Sequence, residues 1–97
     1  MKTAKELISL DNRVAIVTGG RGLYGASISA GLCEMGAQVV IASRSGEKCE
    51  AYAAELRAAG YAAVGMSLDL NDDDSIKRFS AAVVERFGRI DILVNNA

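Results

Sequence analysis

Short runs of apolar, mostly β-branched residues alternate along this chain with stretches of helical periodicity, and few folds accommodate that alternation. The first run, Val14-Ala15-Ile16-Val17, passes directly into Thr18-Gly19-Gly20. An unbroken apolar run of this kind predicts a strand buried on both faces, as in a parallel sheet. Beyond the glycines, Ile28, Leu32 and Met35 recur at i, i+4 and i+7, which places them on one face of a helix ending at Gly36. Val39-Val40-Ile41-Ala42 predicts a second buried strand. A helix from Gly46 to Ala59 follows, with Cys49, Ala53 and Leu56 inward and Gly60 as its stop. Ala62 to Met66 is a weaker third strand. Asp72 to Phe87 has Ile76, Phe79, Val83 and Phe87 on one helical face, and Gly88 stops it. Ile92-Leu93-Val94 makes a fourth strand, followed by Asn95-Asn96-Ala97.

Strand and helix in strict alternation imply parallel pairing, because each helix must return the chain to the starting edge of the sheet. Right-handed crossovers then favour the strand order 3-2-1-4. The expected fold is α/β, a Rossmann-type doubly wound parallel sheet, over residues 13–97. Residues 1–12 are a polar lead-in ending in the turn-forming Leu10-Asp11-Asn12. At 97 residues the chain is one domain at most, below the roughly 100 to 200 residues of a complete unit. Ligands in such sheets bind outside the carboxyl ends of the strands, where strand order reverses. That point lies between strands 1 and 4, where Thr18 to Gly25 should meet Asn95 to Ala97.

Charge and cysteine content narrow the partners. Eleven Lys and Arg against twelve Asp and Glu leave a net charge of -1, with no basic stripe for a phosphate backbone, so nucleic acid is an unexpected partner. Met1 to Ile8 lacks the apolar core of a signal peptide, and no run is long enough to span a membrane. A cytoplasmic protein with reduced thiols at Cys33 and Cys49 is expected. Two cysteines without C-x-x-C spacing, and no histidine, offer little to a metal. The acidic run Asp72-Asp73-Asp74 is expected to favour the positive end of the third helix rather than to bind an ion.

The chemistry is concentrated in Thr18-Gly19-Gly20-Arg21-Gly22-Leu23-Tyr24-Gly25. Glycines between a strand and a helix let a pyrophosphate approach the backbone, and the helix N–H groups and dipole face the anion. A purely structural turn is the competing reading. About twenty residues further on, NAD-specific sites place a carboxylate against the adenosine ribose. This chain has Ser43-Arg44 there. A carboxylate repels a 2′-phosphate, whereas a guanidinium makes paired, charge-assisted hydrogen bonds to it, so the pair favours NADP(H) over NAD(H). Arg21 adds a second candidate cation, and a merely solvated Arg44 is the alternative.

With these residues in view, the chain from about Arg13 to Ala97 resembles the short-chain dehydrogenases/reductases. The resemblance is carried by Thr18-Gly19, by Arg44, by the acidic residue in Leu68-Asp69-Leu70, and by Asn95-Asn96-Ala97, where the family has Asn-Asn-Ala-Gly. It implies that Asp69 accepts from the adenine amino group, that the backbone of Leu70 touches the ring, and that Asn95 and Ala97 support the sheet beside the cofactor ribose. The implied cofactor contacts are therefore Thr18, Gly19, Arg21, Gly22, Leu23, Gly25, Ser43, Arg44, Asp69, Leu70, Asn95 and Ala97. One departure stands out. The family's common turn is Thr-Gly-x-x-x-Gly-x-Gly, whereas here Leu23 takes the second-glycine position and Gly22 precedes it. That spacing resembles the extended branch of nucleotide-sugar epimerases and dehydratases, which lack Asn-Asn-Ala.

The resemblance implies an oxidoreductase that moves hydride between nicotinamide and a carbonyl or secondary alcohol, in a parent that is homo-oligomeric. The family's catalytic Ser, Tyr-x-x-x-Lys and further Asn all lie beyond Asn-Asn-Ala-Gly. Tyr24, Tyr52 and Tyr61 are not followed by lysine four residues on. No catalytic residue is expected in this chain, and it should be inert alone. A non-catalytic nucleotide-binding module and an extended-branch epimerase or dehydratase are the alternative functions.

Overall fold

The computed structural model describes residues 9–19 and 23–96, the side chains of residues 23 and 24 excepted. Its elements are β1 (Val14–Thr18), α1 (Leu23–Glu34), β2 (Gln38–Ser43), α2 (Gly46–Ala58), β3 (Ala63–Ser67), α3 (Asp73–Phe87) and β4 (Ile92–Asn95). The four strands form one sheet in the order β3-β2-β1-β4, all pairs parallel, as the alternation predicts. Register places Val17 beside Ile41 and Val94, and Ser43 beside Ser67. The carboxyl ends of the strands thus lie at one edge.

Successive residues of the central strands point to opposite faces, and each face has its own core. Ala15, Val17, Val39 and Ile41 pack with Cys33, Cys49, Ala53 and Leu56 from α1 and α2. Val14, Ile16, Val40, Ala42 and Val64 pack with Phe79 and Val83 of α3. This is why Val14–Thr18 is buried throughout, with no polar alternation. Each fully buried Val or Ile contributes about 1.5–3 kcal/mol over leaving it exposed, so the two central strands anchor both layers.

The inward faces of α2 and α3 are those the periodicity predicts: Cys49, Ala53 and Leu56, and Phe79 and Val83 with Ile76 and Phe87 partly buried beside them. The first helix differs. Gly25, Ser29 and Cys33 are the buried positions, while Ile28, Leu32 and Met35 are half-buried. Small residues at i, i+4 and i+8 let the α1 backbone settle close to the sheet, and the larger Ile28 and Leu32 pack along the flank of that core. The third strand begins one residue later than expected, at Ala63.

Caps explain where the helices start and stop. The Ser45 hydroxyl accepts from Lys48 N–H at 3.4 Å, and Asp72 Oδ1 accepts from Asp74 N–H at 3.0 Å. Asp73 and Asp74 fill the first turn of α3 and Arg86 its last, both favourable to the helix dipole. Gly36, Gly60 and Gly88 follow their helices at positive φ, as expected. At Gly65 the requirement is for space. A β-carbon there would lie 2.1 Å from Glu50 N and 2.3 Å from the Cys49 carbonyl carbon, so α2 sits directly on the β3 backbone.

At the amino ends of the strands, Asp91 joins β1 to the approach of β4. Its Oδ2 accepts from Val14 N–H at 2.9 Å, and its Oδ1 accepts from Arg89 Nη2 at 2.7 Å and lies 3.6 Å from Arg13 Nη1. The Arg89 hydrogen bond, then that of Val14 N–H, holds this carboxyl below its usual value. Among the described residues, no helix is long and apolar enough to cross a membrane.

Candidate binding site

A cavity of about 400 Å³ opens at the carboxyl ends of β1, β2 and β3, within the roughly 300–1,000 Å³ common to small-molecule sites. Thr18 and Gly19 form its floor, Ser43 and Arg44 one wall, and Leu68, Asp69, Leu70 and Asn71 the other, with Ala42 between. This is the edge at which the topology predicts a ligand.

The floor is held by a side chain. The Thr18 hydroxyl donates within reach of both Asn95 Oδ1 at 3.0 Å and Val94 O at 3.3 Å, and it accepts from Asn96 N–H at 3.2 Å. A buried hydroxyl at the last position of β1 thus closes the seam with β4 and turns the Asn95 amide toward β1. Gly19 follows at φ +65°, its N–H donating to Ala42 O at 3.0 Å. A β-carbon there would stand 2.3 Å from Asn96 O. Both the left-handed backbone and the close passage of the β4 end therefore require glycine.

On the Arg44 wall, the chain crosses from β2 to α2 in two residues, Arg44 and Ser45. The Ser43 hydroxyl is engaged inside this turn: it accepts from Ser45 N–H at 3.2 Å and lies 3.0 Å from Cys49 Sγ. The Arg44 side chain is exposed at the cavity wall, and no carboxylate among the described residues pairs with it. A free guanidinium next to a cavity, at the end of the second strand, suits an anionic group.

The opposite wall leaves β3 as an apolar-acidic turn. Leu68 is buried and its N–H donates to Ser43 O at 2.8 Å, tying this wall to the first. Asp69 N–H donates to the Ser75 hydroxyl at 3.0 Å, and Asp69 Oδ1 accepts from Asn71 N–H at 3.0 Å. The Asx turn fixes the Asp69 carboxylate and leaves Oδ2 without a partner among the described residues. Leu70 is nearly half exposed, an apolar side chain on an open rim.

Of the residues singled out in the sequence, the cavity gathers Thr18, Gly19, Ser43, Arg44, Asp69 and Leu70. Asn95 stands behind the floor on Thr18 rather than in the lining. Gly25 lies in the first turn of α1, buried, and Leu23 opens that helix. Arg21, Gly22 and Ala97 lie outside the described residues. Ala42, Leu68 and Asn71 line the cavity without having been singled out. Their signal was positional: each adjoins a chosen residue at a strand end. The Tyr52 hydroxyl is committed elsewhere, donating to Ala26 O at 3.0 Å between α2 and α1. Burial first, then nearby Cys33 and Glu55, raises its pKa above the phenolic norm.

A four-stranded parallel sheet in the order 3-2-1-4 between two helical layers, with a cavity at the carboxyl edge, is the arrangement of the dinucleotide-binding class of α/β proteins. Within that class, the family model described as short chain dehydrogenase matches residues 13–97. This chain belongs to the short-chain dehydrogenase family.

An uncharacterized oxidoreductase of Mycobacterium tuberculosis is 40% identical over 91 residues, covering 94% of this chain and 35% of the relative. A metagenomic short-chain oxidoreductase solved in complex with NADP superposes with a TM-score of 0.84 at 42% identity, over 91% of this chain and 40% of that one. The Pseudomonas aeruginosa RhlG complex with NADP gives a TM-score of 0.84 at 40% identity, over 93% and 36%. The chain spans about a third of the length of the curated relatives it matches.

Proposed function

We propose that this chain holds the adenosine end of NADP(H) in an oxidoreductase acting on a carbonyl or secondary alcohol. The observation that carries the reading is Arg44, exposed and unpaired among the described residues, at the wall of the carboxyl-edge cavity. No carboxylate ends β2, where an NAD site would place one, and a guanidinium there complements a 2′-phosphate. Leu68 and Leu70 offer apolar surface to an adenine ring, and Asp69 Oδ2 is free to accept from its amino group. Two solved relatives of the same fold carry NADP. The dinucleotide, when bound, supplies the hydride chemistry.

The residues of this chain then bind and orient. Arg44 and Asp69 hold the two polar ends of the adenosine, and Thr18 and Gly19 set the floor on which the rest of the dinucleotide lies. Tyr52 is turned into the α1–α2 contact, and none of the three tyrosines is followed by lysine four residues on. These 97 residues bind without turning over substrate.

Binding to NADP(H) and NAD(H) by the wild type and Arg44→Ala tests the reading. A lost charge-assisted pair is worth about 1.5–3 kcal/mol, so Arg44→Ala should lower NADP(H) affinity at least tenfold and leave NAD(H) affinity within about twofold. An unchanged preference between the two would refute it.

A further inference from the structure

The geometry points to Ser67, the last residue of β3, as a positioning residue that fixes Arg44 for recognition of an adenosine 2′-phosphate. The inference rests on the NADP(H) reading and extends it to a residue outside the cavity lining. A long, exposed arginine discriminates between ligands only if the backbone carrying it is held, because ordering the link on binding subtracts from the affinity gained. Arg44 stands on a two-residue crossover from β2 to α2. Ser67 Oγ donates to the carbonyl oxygen of Arg44 itself at 3.1 Å, across 23 residues of sequence.

The surroundings make that bond a fixed one. In the sheet register Ser67 pairs with Ser43, the residue before Arg44, so the hydroxyl arises from a strand already docked on the turn's root. The next backbone contact, Leu68 N–H to Ser43 O at 2.8 Å, carries the same strand into the opposite cavity wall. From the other side, a β-carbon on Gly46 would lie 2.9 Å from Ser67 N, which shows how closely the start of α2 approaches the tip of β3. The Arg44 peptide is therefore gripped between two elements, and the Ser67 hydroxyl is the side-chain part of that grip. Ser67 and Arg44 are both solvent-exposed, so removing the Ser67 oxygen leaves no buried void and no stranded buried acceptor.

The test uses the whole chain and two probes, adenosine 2′,5′-bisphosphate and 5′-AMP, by isothermal titration calorimetry. Ser67→Ala should weaken the bisphosphate about three- to tenfold, the loss of one ordinary hydrogen bond, and leave 5′-AMP within about twofold. Ser67→Thr, which keeps the hydroxyl, should restore the bisphosphate affinity. In an Arg44→Ala background, Ser67→Ala should have no further effect on the bisphosphate, since the group it positions is gone. Equal weakening of both nucleotides, an undiminished effect in the Arg44→Ala background, or no effect in the wild type would each overturn the proposal. If Arg44→Ala alone leaves bisphosphate affinity unchanged, the NADP(H) reading fails with it. If Arg44→Ala weakens the bisphosphate and Ser67→Ala does not, the Ser67 role fails alone.

Discussion

Replacing Gly65 by alanine should destabilise the chain, although exchanging glycine for alanine in regular structure ordinarily does the reverse. The new β-carbon would stand 2.1 Å from Glu50 N, 2.3 Å from the Cys49 carbonyl carbon and 2.5 Å from Glu50 Cα, against an ordinary contact distance of 3.4–4 Å. All three obstacles are backbone of α2, so no side chain can rotate away. The helix must lift from β3 by more than about 1 Å, loosening Cys49 and Ala53 in the core beneath. Overpacking of this kind costs typically about 1–3 kcal/mol, and immobile backbone places the cost at the upper end. The more restricted unfolded chain returns about 0.4–1 kcal/mol. The net loss is about 2 kcal/mol or more, a fall in Tm of about 8–16 °C for a domain of this size. Gly31, within α1, is the control, because a β-carbon there meets nothing within 4 Å. Gly31→Ala should raise Tm by about 4–8 °C through helix propensity alone. Thermal unfolding followed by far-ultraviolet circular dichroism measures both. A Gly65→Ala chain that melts at or above the wild-type temperature would refute the claim that α2 lies in backbone contact with β3.

The Asp91 carboxyl is held below its ordinary value of 3.8 by the Arg89 hydrogen bond first and Val14 N–H second. Its contribution to stability is complete above the unfolded value and is lost as pH falls through the lower folded one. Asp91→Asn should therefore be less stable than wild type near neutrality, with the difference narrowing below about pH 4. Urea titrations across pH check this, and a difference that widens on acidification would contradict it. Cys33 and Cys49 are both free and buried, and burial, then Glu34, pushes the Cys33 thiol up. Native-state labelling by a disulfide reagent should accordingly be at least about a hundredfold slower than in denaturant, since it waits on opening of the α1 and α2 layer. Rapid stoichiometric labelling of the native chain would show that layer to be open.

The sequence announced the sheet order well because every strand but the third is a compact β-branched or apolar run, and Gly36, Gly60 and Gly88 punctuate the helices. The most deeply buried face of α1 was not legible, for a physical reason. Periodicity weighs large apolar residues, whereas close approach to a sheet is governed by small ones, here Gly25, Ser29 and Cys33. The placement of Arg44 and Asp69 at the cavity was legible because their positions follow from strand ends. The engagement of the Ser43 hydroxyl with Ser45 and Cys49, and the reach of Ser67 to Arg44, were not. Those contacts depend on where a two-residue crossover folds back, a matter of tertiary placement that no local spacing encodes.

The Thr18 hydroxyl, which meets Val94, Asn95 and Asn96 at the β1–β4 seam, makes the floor of the cavity part of the folding transition rather than part of ligand binding. The order it imposes exists before any ligand arrives, so the entropic cost of shaping that surface falls on the chain's stability and not on its affinity. Damage at this seam would accordingly first appear as a smaller folded population, with the molecules that remain folded still presenting the same floor to their ligand.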